Sequence, residues 1–223
     1  MNGLYKYPRT PHLPWSEKSD RDDKVLADVD HFAGQEVVVT EKMDGECTSM
    51  YCIHYHARSL NSKNHPSRNL LKQFHASIRH NIPEGWRLCG ENVYAKHSIF
   101  YDRLTAYFYL IGVYDGSNGC LAWDETVEWA GLFDIPTVPV LYRGIWDEKA
   151  IKSLWPRRSC FGDTCEGYVV RTCQGFAYGD FARHVAKYVR PNHVQTSVHW
   201  MEQAIVPNQI GGDHAGVSQA ALR

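Results

Sequence analysis

Apolar residues in this chain fall into short runs, β-branched or nearly unbroken, separated by glycine, proline and charged turns. Runs of roughly four to eight such residues predict buried strands. They occur at Val37 to Thr40, Trp86 to Asn92, Tyr107 to Tyr114, Val138 to Tyr142, Cys165 to Arg171 and His184 to Arg190, the last stopped by Pro191. Cys47 to His56 alternates loosely and reads as the return strand of a hairpin that turns at Asp44-Gly45. Helical spacing is clearest over Asn69 to Ile82, where Leu70, Leu71, Phe74 and Ile78 recur at three and four residues, with Asn69 as cap and Pro83-Glu84-Gly85 as stop. Shorter helices are predicted over Asp124 to Leu132, with Val127 and Leu132 facing in, and over Asp147 to Leu154, capped by Asp147. Weaker helical patterns cover Asp20 to Phe32 and Val194 to Ile205. Three prolines between Tyr7 and Trp15 exclude a regular helix or central strand there, and Leu13 and Trp15 are expected to pin that segment to the body. The chain divides into one domain over 1–210 and a small, polar tail over 211–223.

A length of 223 residues with 43% hydrophobic content allows a sizeable single core. No apolar stretch is long enough to span a membrane or serve as a signal core, so a soluble, cytoplasmic protein with no membrane partner is expected. Seven cysteines form no Cys-x-x-Cys pair, which argues against a disulfide framework and a structural zinc site. His54-x-His56 places two rings on one strand face but lacks a third ligand at metal-like spacing. Net charge is −1, so a polyanion would need a local patch. Candidates are Arg58/Lys63/Arg68/Lys72, Arg157/Arg158 and the run Arg183, His184, Lys187, Arg190, His193. A solvated face is the alternative for each, and the preferred one for Arg157/Arg158.

The chemistry centres on Lys42, at the end of an inward-running strand. A free lysine amine has a pKa of about 10.4 and is almost wholly protonated at pH 7. To act as a nucleophile it must shed that proton, helped by desolvation, nearby cations or a metal. Other predicted strand ends carry groups suited to a nucleoside triphosphate. Glu91 suits a ribose hydroxyl, Tyr114 a base face, Glu166 a divalent metal, and Lys187 and Arg190 the phosphates.

The order Lys42-Met43-Asp44-Gly45, Gly90-Glu91-Asn92, Tyr109 to Asp115, Glu166-Gly167-Tyr168-Val169-Val170-Arg171 and Val185-Ala186-Lys187 resembles the covalent nucleotidyltransferases: DNA ligases, RNA ligases and messenger-RNA capping enzymes. Compact size, Glu46 after the lysine motif and Ala57-Arg58-Ser59 resemble most the RNA ligase branch of phage double-strand-sealing and trypanosome editing ligases. The resemblance implies an α+β, ATP-grasp-like nucleotidyltransferase domain of antiparallel sheets with flanking helices and no OB-fold. It implies ATP with Mg2+ or Mn2+ as cofactors, and RNA with 5′-phosphate and 3′-hydroxyl ends as substrate. Position by position it implies Lys42 as the adenylylated residue and Arg58 as a contact to nucleotide and phosphate end. Glu91 is then the ribose acid, Tyr114 the adenine-stacking ring, Glu166 the acid that supports metal, and Lys187 a phosphate contact.

Two departures stand out. The family commonly closes with Lys-x-Lys, whereas here Lys187-Tyr188-Val189-Arg190 turns Arg190 to the other face of a regular strand. About 33 residues follow Arg190, too few for an OB-fold or a separate carboxy-terminal domain, so substrate grip is expected from this domain or from a protein partner. Alternatives stay open: DNA ligation, guanylyl transfer, 5′-end adenylylation alone, or a silent nucleic-acid-binding module. Tyr114 has core filling as its alternative, Arg58 a surface loop, and Glu91 and Glu166 exposed strand ends.

Overall fold

The computed structural model describes residues 3–17, 23–62, 64–155, 158–191 and 204–211. Its framework is two antiparallel sheets. The first has four strands in the order β10-β8-β1-β7, built from β1 (Glu36–Glu41), β7 (Val140–Ile145), β8 (Gly167–Thr172) and β10 (Val185–Val189). The second has six, in the order β3-β2-β4-β5-β6-β9. These are β2 (Glu46–Met50), β3 (Tyr55–Ala57), β4 (Arg87–Asn92), β5 (Phe108–Tyr114), β6 (Gly119–Cys120) and β9 (Phe176–Ala177). This is the α+β arrangement of antiparallel sheets expected from the motif order.

The predicted Lys42 hairpin is not formed. β1 pairs with β7 and β8, whereas β2 pairs with β3 and β4. The chain crosses from one sheet to the other at Lys42 to Gly45. Asp44 is an anchor in that crossing: its carboxylate accepts from the Ser98 and Ile99 amides, both at 2.8 Å, while its own amide donates to the Tyr101 hydroxyl. Glycine at 45 is required by close approach, since a Cβ there would sit 2.7 Å from the Asn92 carbonyl oxygen. The Asp-Gly pair that reads locally as a turn is therefore a tertiary joint.

Among the described residues four helices flank the sheets: α1 (Asn69–Ile78), α2 (Trp123–Leu132), α3 (Glu148–Ser153) and α4 (Phe181–His184). Helix α1 buries Leu71, Phe74 and Ile78 against Met50, Leu88, Phe108 and Leu110 of the six-stranded sheet. Its N-cap is Arg68, at the end of a 3-10 turn led by His65, so Asn69 is its first residue. Helix α2 starts one residue earlier than expected. Its buried stripe is phased on Trp123, Thr126 and Ala130, which turns Val127 and Leu132 out to 45% and 77% exposure. Asp147 caps α3 as expected, accepting from the Ala150 amide at 2.9 Å.

The outer face of the four-stranded sheet buries Val37, Val39, Tyr168, Val170 and Ala186 with Leu13 and Phe32. The proline-braced segment behaves as a strap along that sheet's edge. His12 bridges both Lys187 and Val25, the Lys187 amide donates to the Pro11 carbonyl, and the Trp15 indole donates to the Tyr168 hydroxyl at 3.0 Å. Residues 23–29, expected to be helical, instead run extended beside the strap, and only Asp30–Phe32 forms a 3-10 turn. A short polar helix with little apolar face to bury is marginal, whereas pairing with the strap satisfies the backbone here, with the His12 amide donating to the Lys24 carbonyl and the His12 carbonyl accepting from the Leu26 amide. The helix expected over 194–205 lies mostly outside the described residues, as do 212–223, Lys63, Arg157 and His193.

Candidate active site

Between the two sheets lies a cleft of about 670 Å³ including its mouth. Lys42 stands in it as the first residue after β1, held there because its amide donates to the Gly167 carbonyl at 3.0 Å. Its Nζ donates to Glu166 Oε2 at 2.6 Å, with the lysine side chain 23% and the glutamate 7% exposed. Burial pulls the Lys42 pKa down. The Glu166 charge and hydrogen bond, with Glu91 and Asp44 behind it, outweigh burial and hold the amine above its ordinary value. Lys42 therefore rests as a paired ammonium, and any attack by it requires that proton to leave.

Glu91 approaches Lys42 from the six-stranded sheet, where Cys47 of β2 pairs with it. Burial raises its pKa to about 8; the charge of Lys42 opposes this, and Glu166, Asp44 and Glu46 add to it. Its Oε2 is buried with no hydrogen-bond partner. An unsatisfied buried acceptor is costly and asks for a ligand or water donor. Glu41 makes the same demand. Its Oε2 accepts from the Cys160 amide at 2.9 Å, yet its Oε1 is buried and unpartnered although the residue lines the cleft. The sequence reading missed Glu41; its one signal was an acid in an otherwise apolar strand, one residue before the lysine.

Lys187 lines the cleft from the middle of β10, opposite Val169 of β8. Burial and the nearby Lys42 charge lower its pKa. Arg190 does not share its position. The strand ends at Val189, and the Arg190 amide donates to the Glu166 carbonyl at 3.0 Å, beyond the cleft-lining residues. Arg58 is exposed just past β3, outside the cleft wall, although its charge reaches Cys47 and Lys187.

Tyr114 departs from the expectation placed on it. It is 1% exposed, packs with Cys89, Phe176 and Phe181, and carries the Arg87 guanidinium over its ring at 4.2 Å. With its surface consumed by these contacts, it has no open face toward the cleft. The residue of β5 that does line the cleft is Ile111, and the aromatic walls are Trp123, Phe176 and the strap residue Tyr7. Alternation along β5 hid this, because the strand is buried on both faces and its sequence does not say which face is the cleft.

Among the described residues no group of three or more His, Cys, Asp or Glu side chains gathers as a metal site. His54 and His56 stack at 6.1 Å without a further ligand. Glu166, expected to support a metal, offers a carboxylate whose Oε2 already pairs with Lys42. Ions such as Mg2+ take few protein ligands and fill their shell with water and phosphate oxygens, so the donor set is compatible with one.

Two antiparallel sheets closing on a half-buried lysine, with carboxylates from both walls and a second lysine, define a nucleotidyltransferase-type domain. A family model described as RNA ligase matches residues 35–189, and the chain belongs to that family. Among solved structures it is similar to an archaeal ATP-dependent RNA ligase (TM-score 0.55, 14% identity, covering 83% of this chain and 48% of that one). It is also similar to the Naegleria gruberi RNA ligase, as a variant with AMP and Mn (TM-score 0.52, 16% identity, 83% and 58%) and as an apo variant (TM-score 0.51, 16% identity, 83% and 57%). At these identities the likeness is one of fold. The chain spans about half to three-fifths of the length of these ligases. No curated protein sequence matches it significantly. Among the described residues no helix is long and apolar enough to cross a membrane.

Proposed function

We propose that this chain is an ATP-dependent RNA ligase that works through a lysyl-AMP intermediate on Lys42. The observation that carries the reading is the pair of orphaned carboxyl oxygens, Glu91 Oε2 and Glu41 Oε1, lining the same cleft as Lys42. A nucleoside answers both. A ribose hydroxyl donates to Glu91, and the exocyclic amine of adenine donates to Glu41 while its ring lies among Ile111, Trp123 and Phe176. Guanine presents an oxygen where adenine presents that amine, so Glu41 favours ATP over GTP.

With the triphosphate running toward Lys42 and Lys187, the chemistry follows. The Lys42 ammonium passes its proton by way of Glu166 to solvent, which returns Glu166 to the charged carboxylate. The amine lone pair then forms an N–P bond to the α-phosphorus, the bond to the bridging oxygen breaks with its electron pair leaving on pyrophosphate, and the nitrogen gives up its second proton to the departing pyrophosphate or to solvent. Lys187 neutralises charge that grows on the phosphate oxygens in the transition state. A divalent cation held by Glu166 and phosphate oxygens would supply further charge neutralisation. An RNA 5′-phosphate oxygen next displaces Lys42, transferring AMP to the strand, and a 3′-hydroxyl displaces AMP to form the phosphodiester.

The test is incubation with ATP or GTP, each labelled at the α-phosphate, with Mg2+ or Mn2+, followed by denaturing electrophoresis and peptide mapping. Label from ATP on Lys42 is expected; label retained from GTP alone would reject the assignment. Sealing assays on nicked and single-stranded RNA and DNA then define the substrate.

A further inference from the structure

Lys187 is not held by the four-stranded sheet alone. The strap, which precedes the family-matched residues 35–189, clamps its backbone from both sides: the Lys187 amide donates to Pro11, and the Leu13 amide donates to the Lys187 carbonyl at 2.8 Å. Asp23, from the segment beside the strap, reaches the amine, and His12 of the strap backs Asp23. Lys187 Nζ lies 3.9 Å from Asp23 Oδ1, and Asp23 Oδ2 lies 3.1 Å from His12 Nε2. Asp23 is 8% exposed and His12 fully buried. His12 Nδ1 is in turn 2.8 Å from the Ser16 hydroxyl, whose oxygen also accepts from the Val189 amide at 2.9 Å. His12 Nε2 faces Asp23 at ion-pair distance, off the line of an ideal hydrogen bond, while the Ser16 hydroxyl against Nδ1 also has the Glu17 carbonyl as an acceptor at 3.2 Å. The chain of contacts Ser16–His12–Asp23–Lys187 thus runs from the strap to the cleft.

We propose that Asp23, braced by His12, is a positioning residue for Lys187, holding its amine in the cleft as a cation beside Lys42. This rests on the function proposed above. The groups that face the Lys187 amine are the Lys42 and Arg58 cations, which discourage its charge, and the Asp23 and Glu166 carboxylates, which support it. Glu166 is committed to Lys42 at 2.6 Å, which leaves Asp23 as the carboxylate that answers Lys187. A buried amine beside a second ammonium, stripped of its own counter-ion, would shed its proton and bring no charge to the phosphates.

The test has one arm that does not depend on catalysis. In full-length protein with 13C-methylated lysines, the Lys187 resonance, assigned by its loss in Lys187→Arg, is titrated by NMR. Asp23→Asn is expected to lower its midpoint by about one pH unit, a tenfold change in the proton equilibrium. Asp23→Glu is expected to restore it. The alkaline limb of the rate of adduct formation from ATP should move to lower pH in step. His12→Gln, a smaller change, should shift the same midpoint in the same direction by less. An unaltered Lys187 midpoint in a folded Asp23→Asn protein overturns the proposal, and if that variant does not fold, an unaltered midpoint in His12→Gln does so. If wild-type protein forms no adduct, the ligase reading fails while the NMR titration still decides the role of Asp23.

Discussion

Two lysines face the same cleft from neighbouring regions of one sheet, and their environments act on them in opposite directions. Lys42, at the exit of β1, meets Glu166 at 2.6 Å with Glu91 and Asp44 nearby, and is held as an ammonium more firmly than in water. Lys187, in the middle of β10, has its nearest carboxylate at 3.9 Å and the Lys42 charge beside it, and its pKa falls. Both are desolvated. The difference lies in the charged neighbours. For Lys42 the Glu166 charge and hydrogen bond, with Glu91 and Asp44, together exceed the burial penalty. For Lys187 the strongest neighbouring charge is the Lys42 cation, which adds to that penalty. The residue assigned as nucleophile is thus the one whose proton is harder to remove.

The largest test of this contrast is Lys42→Ala, which should abolish the labelled adduct while the circular dichroism spectrum persists. Adduct formation by that variant would place the nucleophile elsewhere. Lys187→Ala should come next, slowing adduct formation on the order of 100-fold, the scale of losing one transition-state charge contact. Arg190→Ala should cost under about tenfold on that scale, because Arg190 lies off the cleft; equal losses in single-turnover assays would show that both cations reach the phosphates. Glu166→Gln removes the counter-ion and leaves a largely buried ammonium. It should lower unfolding stability by about 2–3 kcal/mol in denaturant titration, somewhat less than for a fully buried pair because Lys42 is partly exposed.

The smallest expected effect is on stability and comes from Glu91. Its pKa of about 8 in the folded protein lies above the ordinary carboxylate value of 4.5. Between those values the native state binds the extra proton, so stability falls as pH rises through this window and levels off above it. Glu91→Gln should flatten that slope. The variant should match wild type near pH 4.5 and exceed it by about 1–2 kcal/mol near pH 8 in paired thermal melts, the scale of sparing one buried charge its desolvation. A wild-type slope that persists in the variant would place the titrating group elsewhere.

The sequence by itself determined which segments are strands and which residues are worth testing. Val37 to Val39, Tyr109, Leu110, Val113 and Val170 are buried because β-branched and aromatic runs have few other places to go. The motif order pointed to Lys42, Glu91, Glu166 and Lys187, and the fold gathers all four around one cleft or its rim. Alternation made Arg190 doubtful from the sequence, but it is the end of the strand at Val189, before Arg190, that decides where this residue goes. What only the tertiary structure decided was pairing between distant segments. Asp44-Gly45 reads as a hairpin turn in isolation, yet it is a crossing between sheets because Asn92 and Ser98 supply its contacts. Tyr114 carries the right chemistry for stacking, but Arg87 and the hydrophobic core already occupy its ring. Glu41, Tyr7, Asp23 and His12 acquire meaning only through partners more than a hundred residues away, such as Cys160 for Glu41 and Lys187 for Asp23 and His12. Local pattern reports which surface a side chain wants to bury; it does not report whose surface will be there to meet it.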